Sequence, residues 1–336
     1  MAGIDSTWGS THLQRSEIFS AQMKDMMRDE LIAQQFVRTL SDIPSDSIAT
    51  ELKINSIGSL EVSDWKESVS MPSQRMDTGQ FKFRINEFIG NKVAFTDHFF
   101  ETSFQANEVL SATPVEMKRA LDEYRETKIF ELANDQTLDD ANVINGAKHR
   151  FVGGGDASAN GLPLNALTLE DFSYARYALQ KANVPMSGLV AVVGPEQEHI
   201  INTLTNIVNV SNNPMWEGII TTGMGDMTGT RFLKNIYGID IYVSNRLATV
   251  SNDEAALTTY DGTAVADTSG YQANMFFSMA SDMSKPFIGA TGRPLRMKSW
   301  RDEDIETEYH YATESFGFGL YRPESLVTVL TNPAAY

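Results

Sequence analysis

The chain has 336 residues, 42% of them hydrophobic, a formal net charge of −17 and no cysteine. That length suggests two domains or one large discontinuous one; the missing thiols exclude disulfides and thiolate metal sites; and the acidic balance argues against tight nucleic-acid binding, which needs a basic face. No apolar run approaches the ~20 residues of a membrane span, and the N-terminal MAGIDSTWGSTHLQRSE lacks the basic-then-apolar order of a signal peptide.

Residues 16–40 predict an amphipathic helix, with Ile18/Phe19, Met23, Met26/Met27 and Ile32 recurring near helical spacing. A methionine-rich stripe of this kind is packing surface before it is a cofactor box. Coming after a polar leader, it reads as an arm that packs on something else. Residues 50–96 predict a long two-stranded ribbon. TELKINSIGSLEV and GQFKFRINEFIGNKVAFT both alternate; in the second, Phe81, Phe83 and Ile85 form one face and Lys82, Arg84 and Asn86 the other. The polar stretch between them carries Trp65, Lys66 and Arg75. A two-stranded ribbon alone is marginal in water, so this one needs a surface to lie on.

Residues 113–134 predict a long helix, with Thr113 as N-cap, Pro114 first in the helix and Glu116 closing a capping box. GGGDASANG, residues 153–161, predicts a loop or linker rather than a phosphate cradle, because no Lys-Ser/Thr and no helix start follow it directly. From Thr168 the pattern is helix, buried strand LVAVVG, then a helix with Pro195 in its first turn; the first helix carries a Thr-x-x-Asp cap. KNIYGIDIYVSNRL, residues 234–247, predicts a turn at Gly238 and a half-buried strand. Ile239, Ile241 and Val243 face one way there, and Asp240, Tyr242 and Ser244 the other. ANMFFSMA, LRMKSW, ETEYHYATESFGFGLYR and SLVTVLT predict further strands. In FGFGLY phenylalanine alternates with glycine, so one face packs while the other admits a neighbouring backbone.

Charge is distributed unevenly. Residues 251–282 hold Asp253, Glu254, Asp261, Asp267 and Asp282 with no Lys or Arg, and residues 300–324 hold seven acids against Arg301 and Arg322. Residues 50–100 are nearly neutral. A negative surface with a locally basic segment can pair with copies of itself, or it can simply stay solvated.

Chemistry is sparse. The histidines are His12, His98, His149, His199 and His310, and no two sit at metal-ligand spacing. Asp97, His98 and Glu101 fit either a metal site or a polar turn before a helix. There is no Gly-x-Ser-x-Gly elbow, and TTGMGDMTGTRF has its glycines at the wrong spacing for a dinucleotide loop. Glu196 and Glu198 fall in a first helical turn, where the helix dipole accounts for them. No catalytic, cofactor-binding or metal-ligating residue is assigned.

The order is amphipathic arm, ribbon, long capped helix, glycine-rich joint, small α/β unit and long terminal strands. It resembles the major capsid proteins of tailed bacteriophages, with the Hong Kong 97-like fold, over nearly the whole chain. The resemblance rests on TLEDFSYARYALQKANVPMSGLVAVVGPEQEHII, NIYGIDIYVSNRL and FGFGLYRPESLVTV taken in order. It implies an α+β fold with an N-terminal arm at 1–49, an extended loop at 50–96 and a peripheral domain with its spine helix at 97–167. An axial domain at 168–290 and return strands of the peripheral domain at 291–336 complete it. The implied function is a structural, non-enzymatic one: self-assembly of hexamers and pentamers into an icosahedral shell around phage double-stranded DNA. The shell would be assembled in the host bacterial cytoplasm and would end in the virion. Implied partners are further copies, a separate scaffolding protein (since only a short leader precedes the arm), a portal protein and a decoration or cement protein. DNA contact would be weak and non-specific, with no membrane involved. Candidate inter-subunit contacts are Met23, Met27, Trp65, Lys66, Arg75, Phe81, Lys82, Phe83 and Arg84. Some family members weld subunits through a Lys–Asn isopeptide bond. Lys66 lies in the matching loop, but nothing marks an Asn partner or catalytic Glu, so crosslinking is not expected. Two alternatives stay open: an encapsulin-like compartment, whose particles would hold protein instead of DNA, and a cytoplasmic α/β enzyme. A pocket of perturbed carboxylates with His199 would mark the enzyme.

Overall fold

The structure is a computed structural model. It describes residues 31–40, 51–58, 62, 64–68, 70, 73, 78–102, 106–135, 143–158, 161–203, 232–250, 257–265 and 267–333. The elements in chain order are β1 (Val37–Thr39), β2 (Glu51–Ile57), β3 (Thr78–Arg84), β4 (Glu87–Thr96), α1 (Asp97–Thr102), α2 (Ala106–Glu131), β5 (Val143–Ile144), β6 (Ala147–Lys148) and β7 (Arg150–Val152). They continue with α3 (Leu169–Lys181), β8 (Leu189–Val193), α4 (Pro195–Thr203), β9 (Phe232–Ile236), β10 (Ile239–Val243), β11 (Gln272–Ser278), β12 (Phe287–Asp302), β13 (Thr307–Leu320) and β14 (Leu326–Thr331).

Two sheets organise the chain: a six-stranded sheet in the order β7-β14-β11-β8-β10-β9, and a four-stranded sheet in the order β1-β12-β13-β4. In the first, β8 is buried on both sides, which is why its sequence is an unbroken apolar run. Leu189, Ala191 and Val193 meet Phe172, Ala175 and Leu179 of α3, while Val190 and Val192 meet Phe36, Phe130 and Phe277. The α3 start follows the sequence reading: Thr168 Oγ1 accepts from the Asp171 N–H, and the Asp171 carboxylate accepts from the Thr168 N–H. The β9–β10 hairpin turns on Tyr237-Gly238, both at positive φ, with Ile239, Ile241 and Val243 buried as the alternation predicts. Past β10, Ser244 Oγ accepts from the Arg246 N–H at 3.3 Å, the self-bonded turn that a polar strand end allows.

The four-stranded sheet is long and narrow. β12 and β13 form an antiparallel hairpin from Phe287↔Leu320 to Asp302↔Thr307, and β4 pairs along β13 from Phe316↔Glu87 to Thr307↔Thr96. Helix α2 lies on one face. Its Met117 and Leu121 pack with Ala312, Ile89, Val93 and Leu295, and the Asn91 side-chain amide donates to the Met117 carbonyl at 2.9 Å.

Several sequence expectations are corrected. Helix α2 has 26 residues, about 39 Å, and begins seven residues before the predicted cap. Thr113 and Pro114 lie inside it, and Thr113 Oγ1 donates to the Val109 carbonyl at 2.8 Å instead of capping. The predicted helix 16–40 does not reach 40. Ala33–Phe36 is a 3-10 turn and Val37–Thr39 is a strand paired in parallel with β12; residues 16–30, with Met23 and Met27, lie outside the described residues. The described part of the glycine-rich segment is a loop, as expected, but a packed one. Gly155 N–H donates to the Ala166 carbonyl, and a Cβ there would lie 2.3 Å from the Pro163 oxygen. Leu326–Thr331, grouped above with the peripheral return strands, and Arg150–Val152 both belong to the six-stranded sheet.

Candidate functional site

The predicted ribbon divides in two. β2 and β3 pair with each other from Glu51↔Arg84 to Ile57↔Thr78, whereas β4 leaves the ribbon after Arg84 and joins β13. The alternation is continuous across 79–96 because both halves are strands; what changes is the partner.

The ribbon is rooted on its own chain. Phe83 and Ile85 are buried with Ile288 and Ala290, and Phe81 meets Tyr321 edge-on at 5.2 Å. The FGFG glycines make this fit possible. A Cβ on Gly317 would stand 2.4 Å from the Arg84 carbonyl oxygen, and one on Gly319 would touch the Phe83 ring at 3.5 Å. The backbone approach predicted from phenylalanine–glycine alternation is therefore the approach of the ribbon base. Beyond it, no described residue of its own chain covers the ribbon: Val62 is 99% exposed, Trp65 68% exposed, and Lys66 is exposed. On the outward face Lys53 stands directly across from Lys82, both exposed, a like-charge cross-strand pair that destabilises an isolated ribbon. Arg84, next along that face, is exposed as well.

The candidate contacts thus separate. Phe81 and Phe83 serve their own subunit; Trp65, Lys66, Lys82 and Arg84 face outward; Met23, Met27 and Arg75 lie outside the described residues. Sequence reasoning missed the joint between the two sheets. Glu126 of α2 is buried, its Oε2 accepts from the Ala33 N–H at 3.3 Å, and burial pushes its pKa up against that bond and against the Arg246 charge. Arg246 pairs with Glu123 one turn away at 3.1 Å, and Arg150 Nη1 donates to the Ala133 carbonyl at 2.8 Å. A buried acid facing an arginine some hundred residues away leaves no local signal in a sequence.

The groove beside α2, about 470 Å³, is lined by Val93, Val109, Thr113, Met117 and Glu116 as its one carboxylate, and His199 is exposed on α4. Among the described residues no group of three or more His, Asp or Glu could hold a metal. Asp97 instead pairs with Arg301 at 2.6 Å.

A long helix-backed sheet, a compact α/β unit and a projecting ribbon together define an α+β shell-building subunit. Residues 80–329 match the family model described as phage capsid protein, so the chain belongs to that family. It is a structural protein of the phage capsid. No curated protein matches the chain. Among solved structures it is similar to the capsid of cyanophage P-SCSP1u (TM-score 0.66, 14% identity, covering 96% of this chain and 94% of that one). It is likewise similar to the mature capsid of bacteriophage PhiM1 (0.68, 12%, 94% and 92%) and to a structure from Mycobacterium phage Che8 (0.60, 15%, 94% and 98%).

Proposed function

We propose that copies of this chain assemble as hexamers and pentamers into a closed icosahedral shell around double-stranded DNA, and that the role is mechanical with no catalysis. The observation that carries this reading is the ribbon. Its base is packed on its own sheet, the described residues beyond it are exposed, and its outward face carries Lys53 opposite Lys82 in a chain of net charge −17. Such a ribbon is completed by the acidic surface of a neighbouring copy. Modest contacts repeated over many copies give a shell strength that no single interface supplies. Weak, non-specific contact with the packaged DNA suits a lining that must allow packaging and release. A separate scaffolding protein, a portal and a cement protein are the further partners of this scheme, with assembly in the host cytoplasm.

Limited trypsin digestion tests the ribbon's part. In free subunits, cleavage at Lys66 or Arg75 comes first, because exposed connections are where proteases cut. Assembly slows that cut by orders of magnitude, since protection follows the population of the open form. Equal rates in free and assembled protein would remove the ribbon from the interface.

A further inference from the structure

The side of the four-stranded sheet away from α2 has a composition unlike the rest of the molecule. Register places Phe88 and Arg293 on either side of Ser315, Arg296 beside Thr313, Lys92 and Lys298 on either side of Tyr311, and Trp300 beside Tyr309. Apart from Arg293, which sits between two bulges of β12, they share one face, because Asn91, Val93 and Ala312, one residue along, point to α2. From the Phe88 row to the Trp300 row this face holds the three cations Lys92, Arg296 and Lys298 and no carboxylate, in a chain with 44 acids against 27 bases. Residues 88, 90, 92, 94 and 96 of β4 are all exposed, with Phe88 at 74% and Trp300 at 43%. Lys92 Nζ sits 3.8 Å from the Tyr309 ring centroid and 4.6 Å from that of Trp300, and the two rings stack at 5.0 Å. Aromatic rings and fixed cations, open side by side, are what a desolvated contact with an acidic partner needs. The ribbon already lies over the other end of this face, at Gly317 and Gly319.

We propose that this face docks a second copy of the chain, which presents the tip of its own β12–β13 hairpin. The tip supplies the complement. Asp302, Glu303, Asp304 and Glu306 surround Ile305, itself 56% exposed. Ile305 meets the Trp300–Tyr309 stack while the carboxylates meet Lys92, Arg296 and Lys298. Arg301, the tip's own cation, is held by Asp97 and Glu303 of its own chain, so it does not oppose the contact. The contact is head-to-tail: each copy carries one tip and one face, so it propagates into a closed ring when the rotation closes. This inference rests on the reading of the chain as a shell subunit.

The absence of cysteine makes a clean test. In the double variant Lys298→Cys/Asp304→Cys, both sites are exposed. They are separated within one chain by at least four strand residues, about 13 Å, well beyond the ~7 Å limit for a disulfide, so only a bond between copies can form. Mild oxidation of concentrated protein should give a ladder of covalent multimers on a denaturing gel, while each single variant gives dimers at most. Ladder yield should fall at about 1 M salt, where screening shortens the reach of charge to ~3 Å. A double variant that runs as monomer overturns the docking surface. If particles are visible in the same sample, the shell reading stands without it; if the wild type also forms none, both fall.

Discussion

Asp171 shows how one side chain can hold a joint and load it at the same time. It is fully buried beneath the start of α3, and its Oδ2 accepts from Gly154 N–H at 3.0 Å, Thr168 N–H at 2.8 Å and Thr168 Oγ1 at 2.8 Å. Burial outweighs those bonds and pushes its pKa up to about 6. A carboxyl raised in the folded state binds a proton more readily there than in the unfolded chain, whose value is about 3.9. Its contribution to stability therefore grows as pH falls from about 7 toward 4 and is lost as pH rises through 6. Thermal melts of the wild type and Asp171→Asn should show the wild type gaining on the variant between pH 7 and 5; a gap that moves the other way would contradict the burial argument. Gly317 and Gly319 make a matched pair at the ribbon base. Gly317→Ala forces a Cβ against the Arg84 backbone and should cost about 1–3 kcal/mol in urea unfolding. Gly319→Ala makes only an ordinary contact with the Phe83 ring and should be close to neutral. Equal midpoints for the two variants would show that the ribbon is not held where Gly317 places it.

At the scale of elements, the sequence reads best where the signal is local. The β10 alternation, the Thr168 cap and the strands around FGFG are legible because the residues that decide them are within a few positions of one another. Where a distant partner decides, the sequence misleads. Thr113-Pro114-Val115-Glu116 has every mark of a helix start, yet residues 106–112 are already helical. Proline within α2 leaves one carbonyl without its usual partner, and Thr113 Oγ1 supplies a bond to a neighbouring carbonyl, that of Val109, in the same turn. The alternation of 79–96 identifies strands but not that β4 leaves the ribbon for β13, more than two hundred residues on. Among the candidate contacts, Phe81 and Phe83 looked available for the same reason: alternation does not say whose surface covers a face. Residues 31–40 are the sharpest case. Helical spacing carries Ile32 into the arm, but Phe36 is drawn into the core between Tyr242 and Phe277, with ring centroids 5.7 and 5.0 Å away, and Glu126 fixes the turn before it. Phe36→Ala should therefore destabilise the folded subunit by about 3–5 kcal/mol, read as a shift in urea midpoint. A change under ~0.5 kcal/mol, within the range of a surface substitution, would show that this segment is not part of the core.

The whole molecule is strongly acidic, yet it gathers cations on two exposed faces: Lys53 and Lys82 on the ribbon, and Lys92, Arg296 and Lys298 on the sheet side away from α2. Net charge keeps separate copies apart in solution, while the local asymmetry favours ordered contact once they meet. The six-stranded sheet is filled on both faces from within its own chain; what is left open is the side of the four-stranded sheet away from α2 and the ribbon beyond its base. The most direct test is electron microscopy of the purified protein at high concentration, alone and with its phage's assembly factors. The account predicts closed, uniform shells built from hexameric and pentameric units. A field of single subunits under every one of those conditions would contradict it.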